Sequence, residues 1–230
     1  MHASTELEVG LDAVGASVLR RMHCEVPLVV RVDTGADELT IVIVNGAAGP
    51  LGGDELHLSL VVADGARVRV RSVAASMAQP GPTDAWSTTL TRLVVGEGAH
   101  LDWDLEPTIS VCGSRHRART TLDVAATGSA TVAESVWLGR HGQDPGVLAL
   151  RQRVTEAGRA VLDHETVLGA GRLGPGAHGP WRWVRSVITI GDDACATAAA
   201  TVADGRADAV FPLAPRCSLA TTTAVVPLPM

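Results

Sequence analysis

The sequence predicts an all-β fold, an elongated, helical or stacked-hairpin β-sandwich with little helix. Strand-like runs of alternating apolar and polar residues fill the chain between Val26 and Val225, glycine-centred turns separate them, and almost no segment has helical periodicity. The 230 residues are 46% hydrophobic, which is enough for one substantial core or at most two small ones.

The turns recur at a regular interval, because their glycines are separated by 33, 30, 30 and 33 residues. Each turn lies between two strand-like runs, and its glycine supplies the positive φ that a tight hairpin requires. We therefore expect five successive β-hairpins that stack on one another, with a single ordinary sandwich as the alternative. The turn glycines are Gly65, Gly98, Gly128, Gly158 and Gly191.

Three parts of the chain are expected from these patterns: an N-terminal segment at residues 1–25, a stacked-hairpin domain at residues 26–205, and a C-terminal edge strand with a proline-containing tail at residues 206–230. The Gly- and Pro-rich residues 169–180 are expected to form a long exposed loop.

No signal-peptide pattern and no apolar run of roughly 20 residues is present. We therefore expect a cytoplasmic protein with no membrane partner.

The composition excludes several classes of function. All 19 basic residues are arginine, so the chain has no lysine for a Schiff base or a Walker-type phosphate site. The net charge is -6 and the arginines are scattered, so nucleic acid is not an expected partner. The cysteines Cys24, Cys112, Cys195 and Cys217 are far apart, which favours buried reduced thiols over a zinc or disulfide scaffold.

No short motif identifies a catalytic or metal site. The sequence has neither a Gly-x-Ser-x-Gly elbow nor a His-Glu-x-x-His motif. Metal binding could still be assembled from distant strands, and the frequent carboxylates leave a paired-carboxylate hydrolase open. For any single histidine, a surface or packed imidazole is the ordinary interpretation. The histidines on or beside the expected strands are His57, His100, His116, His141 and His164.

The most unusual short segment is residues 46–56, in which five glycine or proline residues precede an acidic residue at the start of an expected strand. The glycines allow a sharp turn. Asp54 is therefore expected either to accept hydrogen bonds from backbone N–H groups or to line a channel.

The order and spacing of several motifs over residues 27–172 resemble the UreD family of urease accessory proteins, also called UreH. Agreement across that length is more specific than any single element. The motifs are Leu51-Gly52-Gly53-Asp54-Glu55-Leu56, Asp64-Gly65-Ala66, Gly98-Ala99-His100-Leu101-Asp102-Trp103, Glu106 to Ile109, Cys112-Gly113-Ser114-Arg115, Val136-Trp137-Leu138-Gly139-Arg140, and the hairpin expected at residues 151–168.

This resemblance implies a helical, two-layered β architecture and a non-enzymatic scaffold. Members of the family bind apo-urease and join UreF and the GTPase UreG so that nickel enters the urease centre. The expected partners are therefore UreF, UreG and the apo-urease subunits, with transient Ni2+ and no permanently bound cofactor. The alternatives from other classes are a carboxylate-based hydrolase on a β-scaffold and a passive β binding module.

The resemblance also implies a polar, water-filled passage for nickel. The matching positions are Asp54, Ser76, Glu134, and either Asp163 or Glu165, whose side chains share one face of a strand because they are two residues apart. Carboxylate and water ligands pass a divalent cation along without trapping it, which suits transfer. No catalytic residue is expected.

Overall fold

The structure is a computed structural model that describes residues 1–34, 39–169, 181–191, 199–203 and 205–225. These residues form eighteen β-strands in two sheets and contain no helix, so the prediction of an all-β fold is confirmed. A helix long and apolar enough to cross a membrane is accordingly not found among them. Cys195 and most of the expected loop at residues 169–180 lie outside the described residues.

The first sheet contains seven strands. Its five central strands run parallel to one another, and the strand at each edge is antiparallel to its neighbour. From one edge to the other, the strands are β14 (Arg159–Gly169), β13 (Val147–Glu156), β11 (Arg115–Val124), β8 (Ser87–Val95), β5 (Glu55–Val62), β1 (His2–Leu11) and β2 (Ser17–Cys24).

The second sheet contains eleven strands, and four neighbouring strands at its centre again run parallel. Two of its strands are short pieces beside the main order. The main order is β16 (Ala199–Ala203), β17 (Arg206–Ala214), β18 (Cys217–Ala224), β15 (Trp183–Ile190), β12 (Ser129–Leu138), β9 (His100–Asp104), β6 (Arg67–Ser72), β4 (Leu39–Asn45) and β3 (Leu28–Thr34), and the short strand β10 (Thr108–Ser110) pairs with β12 and with β7 (Ser76–Ala78).

The regular turns connect the two sheets and mostly do not close hairpins. The strands on either side of Gly65, Gly98 and Gly128 belong to different sheets. The turn at Gly158 differs from these three, because it joins β13 and β14, which are paired antiparallel strands. The interpretation as five hairpins is therefore wrong in this detail, and the repeat of about 30 residues is one coil of the chain, with one strand in each sheet.

The corners of successive coils stack on one another. The N–H of Gly96 donates to the carbonyl of Val62 at 2.8 Å, and the N–H of Ala125 donates in the same way to Val95 at 2.9 Å in the next coil. A Cβ at Gly96 would lie 2.8 Å from the backbone nitrogen of Asp64, so the corner admits no side chain there. Close approach between backbones is what fixes glycine at this position.

Two clusters of buried hydrophobic residues fill the space between the sheets, a large one and a smaller one made of Val136, Leu138, Leu148, Leu168 and Val184. Because neighbouring strands pair in register, most of them parallel, apolar residues of neighbouring strands lie at the same height and form ladders that cross each sheet. The ladder in the seven-stranded sheet is Leu7, Leu60, Leu93, Leu122, Val154 and Leu162, and the ladder in the eleven-stranded sheet is Ile41, Val70, Trp103, Val132, Ile188 and Leu219.

Both ends of the described chain belong to the two sheets. Residues 1–25 provide β1 and β2 of the seven-stranded sheet. The segment from Arg206, expected as an edge strand and a tail, provides two strands, and β18 is flanked by β15 on one side and β17 on the other. The division of the chain into three parts stays a prediction.

The three described cysteines are free thiols, and they differ in burial. Cys217 is buried, Cys24 is half-buried and Cys112 is exposed, so the expectation of buried thiols fits Cys217 best. Burial, followed by the nearby Glu156 carboxylate, raises the pKa of Cys217 to about 11. This thiol is therefore protonated at neutral pH.

Leu93→Ala is expected to lower the free energy of unfolding by about 2–5 kcal/mol, because it removes a fully buried ladder residue between Leu60 and Leu122. Val94→Ala, on the opposite face of the same strand, is the matched control and is expected to cost much less. Urea denaturation of the two variants measures the difference. Equal losses would contradict the ladder as the main source of stability.

Candidate functional site

A carboxylate lies inside the sandwich, on the apolar face of β12. Glu134 alternates with the buried residues Val132 and Val136, so its side chain points between the sheets. Its Oε1 accepts a hydrogen bond from the Thr120 hydroxyl at 2.5 Å, and its Oε2 accepts one from the Gln152 amide at 2.5 Å. Both donors belong to the seven-stranded sheet, so these hydrogen bonds join the carboxylate to the sheet opposite its own.

The partners of Glu134 form a polar layer across the core. Thr120 and Gln152 are paired neighbours on β11 and β13, and both are buried. Ser186 is the paired neighbour of Glu134 on β15, and its hydroxyl accepts a hydrogen bond from the Gln152 amide at 2.8 Å. The in-register stacking that aligns the apolar ladders thus also aligns these polar residues.

Two cavities of about 90 and 200 Å³ adjoin this layer, and Glu134 and Leu150 border both of them. Each is large enough for several water molecules, and each is lined in part by polar side chains. The polar residues of the smaller cavity besides Glu134 are Thr89, Glu106, Thr108, His116 and Ser135, and those of the larger cavity are Gln152, His164, Thr166, Ser186, Thr221 and Thr223.

Burial changes the acid–base chemistry of two of the lining residues. Desolvation raises the pKa of Glu134, and the hydrogen bonds from Thr120 and Gln152 offset only part of this effect. Desolvation lowers the pKa of His116 to about 4, against the opposing effect of a hydrogen bond with Ser87. Its Nδ1 lies 2.9 Å from the Ser87 hydroxyl. His116 is therefore a neutral imidazole at neutral pH, and a neutral imidazole can ligate a metal ion.

Asp54 and Ser76 lie elsewhere in the fold. Asp54 is buried directly before β5, where its carboxylate accepts hydrogen bonds from the Met1 amino group and the Leu51 N–H, each at 2.8 Å. The N–H contact matches the first of the two roles expected for Asp54. Ser76 is half-buried in β7, and its N–H donates to the Pro107 carbonyl at 3.0 Å. Neither residue lines the two cavities described above.

Asp163 and Glu165 share one face of β14, as their spacing predicts, but this is the outer face of the sheet. Both are exposed, and Asp163 forms a two-point ion pair with Arg151 at 2.9 and 3.0 Å. The neighbouring His164 and Thr166 line the larger cavity instead. Of the five residues predicted to line a passage, the structure places Glu134 alone at these cavities.

Sequence reasoning did not single out Thr120, Gln152 or Ser186, although a signal for them was present. Each stands at a position of its strand where the alternation calls for an apolar residue. His116 was considered only as one of several histidines beside strands. Polar residues on the apolar faces of neighbouring strands were therefore the overlooked pattern.

Lowering the pH from 7 to 4 is expected to destabilise the protein through His116. Because the folded-state pKa of about 4 lies below the ordinary value of 6.5, the unfolded chain binds a proton first, and stability falls as the pH drops from 6.5 towards 4. At about 1.4 kcal/mol for each pKa unit, the loss reaches roughly 3 kcal/mol. Unfolding free energies measured against pH for wild type and His116→Gln should diverge in slope over this range.

The matched control is His141→Gln, because His141 is exposed in a turn. Its profile is expected to follow that of the wild type. A His116→Gln variant that keeps the wild-type slope between pH 6.5 and 4 would contradict the neutral state of the buried imidazole.

Comparison with known proteins identifies the family. The family model described as UreD urease accessory protein matches residues 2–225. Proteins named urease accessory protein UreD are similar to this chain: 38% identity in Streptomyces coelicolor, covering 79% of this chain and 70% of the relative, and 35% identity in a Parafrankia species, covering 93% and 80%.

A third relative of the same name, from Frankia alni, is 36% identical and covers 80% of this chain and 64% of its own length. All three relatives are named accessory proteins and not enzymes, which fits the expectation of a non-enzymatic protein. With a family match over nearly the whole sequence, the chain belongs to the UreD urease accessory protein family.

Proposed function

We propose that this protein acts in the cytoplasm as a non-enzymatic maturation factor of urease, binding the apo-urease subunits and working with UreF and the GTPase UreG to deliver nickel. Membership of the UreD family supports the role in urease maturation. The lack of lysine supports a division of labour, because a Walker-type phosphate site needs that residue and nucleotide hydrolysis then belongs to a partner chain.

The observation that carries the nickel part of the proposal is that the Glu134 carboxylate has no positively charged partner among the described residues. Its hydrogen-bond donors, Thr120 and Gln152, are neutral, and within the described part of the chain no cationic side chain contacts its carboxylate. Burying a carboxylate in this way disfavours its ionised form. A divalent cation in either adjoining cavity would supply the missing positive charge and favour ionisation.

The donor set around the cavities suits transit of Ni2+ as cargo. The Glu134 carboxylate borders both cavities, the neutral imidazole of His116 lines the smaller one, and hydroxyl groups line both. Isolated donors of this kind bind a divalent ion weakly and at several places, so an ion can enter and also leave. We therefore propose a route that passes Glu134.

This route differs from the one expected from the sequence alone. It keeps Glu134 and replaces Asp163 and Glu165 by His164 and Thr166, which point to the inner side of the same strand. The contribution of Asp54 and Ser76 to a nickel passage stays a prediction.

Glu134→Gln is expected to lower the nickel content of urease by about tenfold, which corresponds to about 1.4 kcal/mol of lost ion stabilisation. The substitution keeps the size of the side chain and an oxygen that accepts from Thr120, and it removes the negative charge. The test is coexpression with the urease subunits, UreF and UreG, followed by copurification and measurement of nickel and urease activity.

Glu165→Gln is the matched control, because the same change on the outer face of β14 leaves the cavities untouched. It should give wild-type nickel content. Urease that is fully loaded with nickel by Glu134→Gln would overturn the route. Failure of the wild-type protein to copurify with the urease subunits would overturn the proposed role in maturation.

A further inference from the structure

Three metal-ligating side chains meet on the outer face of the seven-stranded sheet. His2 lies at the start of β1, and Glu55 and His57 lie at the start of β5. One ligand atom from each of them falls within 4.8 Å of the other two. Nε2 of His57 lies 2.6 Å from Oε1 of Glu55, and the two imidazole rings are 4.9 Å apart at an angle of 65°.

The fold itself brings these residues together. In the parallel register of β1 and β5, His2 pairs with Glu55 and Ser4 pairs with His57. Glu55 and His57 are two residues apart, so both side chains point to the same face of the sheet. The three ligands therefore occupy neighbouring positions of one pleated surface, which a change of register would separate.

The backbone under His2 is held at two points. The N–H of Glu55 donates to the carbonyl of Met1 at 2.9 Å, and the Met1 amino group donates to the Asp54 carboxylate at 2.8 Å. Asp54 is itself fixed by the Leu51 N–H. The start of β1 is thus tied to the start of β5, so the His2 ligand is placed before any ion binds.

We propose that His2, Glu55 and His57 form a surface binding site for a divalent transition-metal cation. Two imidazole nitrogens and one carboxylate oxygen suit Zn2+, Ni2+ and related ions, whereas Mg2+ and Ca2+ take oxygen ligands. Metal–ligand distances of about 2.0–2.2 Å require the His2 nitrogen to approach the other two ligand atoms and the close pair of His57 and Glu55 to separate slightly. Rotation of the exposed side chains provides both movements. The ion takes the place of the hydrogen between Nε2 of His57 and Oε1 of Glu55, and that proton passes to solvent or to Nδ1 of the same ring.

The site has open coordination positions. Three protein ligands on one side of an ion leave the side facing solvent to water or to a ligand from another molecule. His2 and Glu55 are exposed and His57 is half-buried, so an ion reaches the site directly from solution. This sets it apart from the enclosed carboxylate of Glu134, and the inference does not rest on the role in urease maturation.

Isothermal titration of the purified full chain with Zn2+ and with Ni2+ tests the site. The affinity tag is placed at the C-terminus and contains no histidine, so that the Met1 amino group keeps its contact with Asp54 beside the site. We expect one ion of either metal to bind at this site and no binding of Mg2+. His57→Ala and Glu55→Gln should each weaken binding at least about tenfold, the scale on which even an outer-shell partner acts.

His23→Ala is the matched control. His23 is an exposed histidine of β2 on the same sheet, 3.7 Å from a single carboxylate, that of Glu25. It should bind the ion as the wild type does, and so should Glu134→Gln, which separates this site from the interior route. Thermal unfolding of each variant verifies that the exposed substitutions leave the fold intact.

Three results would overturn the inference. The first is a wild-type protein that binds neither Zn2+ nor Ni2+ at micromolar to millimolar concentration. The second is unchanged affinity in both His57→Ala and Glu55→Gln. The third is a loss of affinity in His23→Ala equal to theirs. None of these results affects the urease coexpression experiment, because that experiment tests Glu134 and the partner proteins.

Discussion

Parallel, in-register pairing between strands of successive coils holds the rest of the structure in place, because a single coil has no interior of its own to bury. Most of the strands that pair in parallel find their partners about 30 residues away, and their buried apolar residues find equivalents in the neighbouring coils. A slip of one residue would turn a whole ladder, such as Leu60, Leu93 and Leu122, towards solvent. The close approach of Gly96 to the corner at Asp64 leaves little freedom for such a slip. The close contacts at the corners therefore fix the register of the strands, and burial of the apolar ladders in the core stabilises it.

The same pairing brings the residues of the polar layer together and determines how strongly the buried Glu134 carboxylate destabilises the fold. A lone carboxylate between two sheets would be strongly destabilising, yet Glu134 sits where two paired residues of the opposite sheet can each donate to one of its oxygens. These hydrogen bonds lessen the penalty without removing it, as the raised pKa of Glu134 reflects. An apolar residue at this position would continue the row of buried residues Val132 and Val136 along β12 and stabilise the fold. A buried residue that destabilises the core in this way indicates a functional role for that residue.

The sequence carries the coil repeat in its glycines but not the partner of each strand. A glycine with positive φ, such as Gly65 or Gly98, is equally suited to a corner between two sheets and to a hairpin within one sheet. The period of about 30 residues could therefore be predicted from the sequence, but the choice between corner and hairpin could not. Glu134 could be found because it interrupts the apolar alternation of its strand. Asp163 could be placed on one face with Glu165, but the weak alternation of β14 does not tell which face is buried. Only the neighbouring strands decide that, and they are distant in sequence.

The contrast between Asp54 and Glu134 explains why a buried acidic residue alone does not identify an ion route. Both carboxylates are largely enclosed, and both accept two hydrogen bonds. One oxygen of Asp54 is paired with the positively charged Met1 amino group, so its charge is already balanced and it serves to tie β1 to β5. Glu134 receives only neutral donors and borders space that admits water or an ion. Charge balance therefore separates a structural carboxylate from one that is prepared to meet a cation, and it is a property of the folded neighbours that no local motif contains.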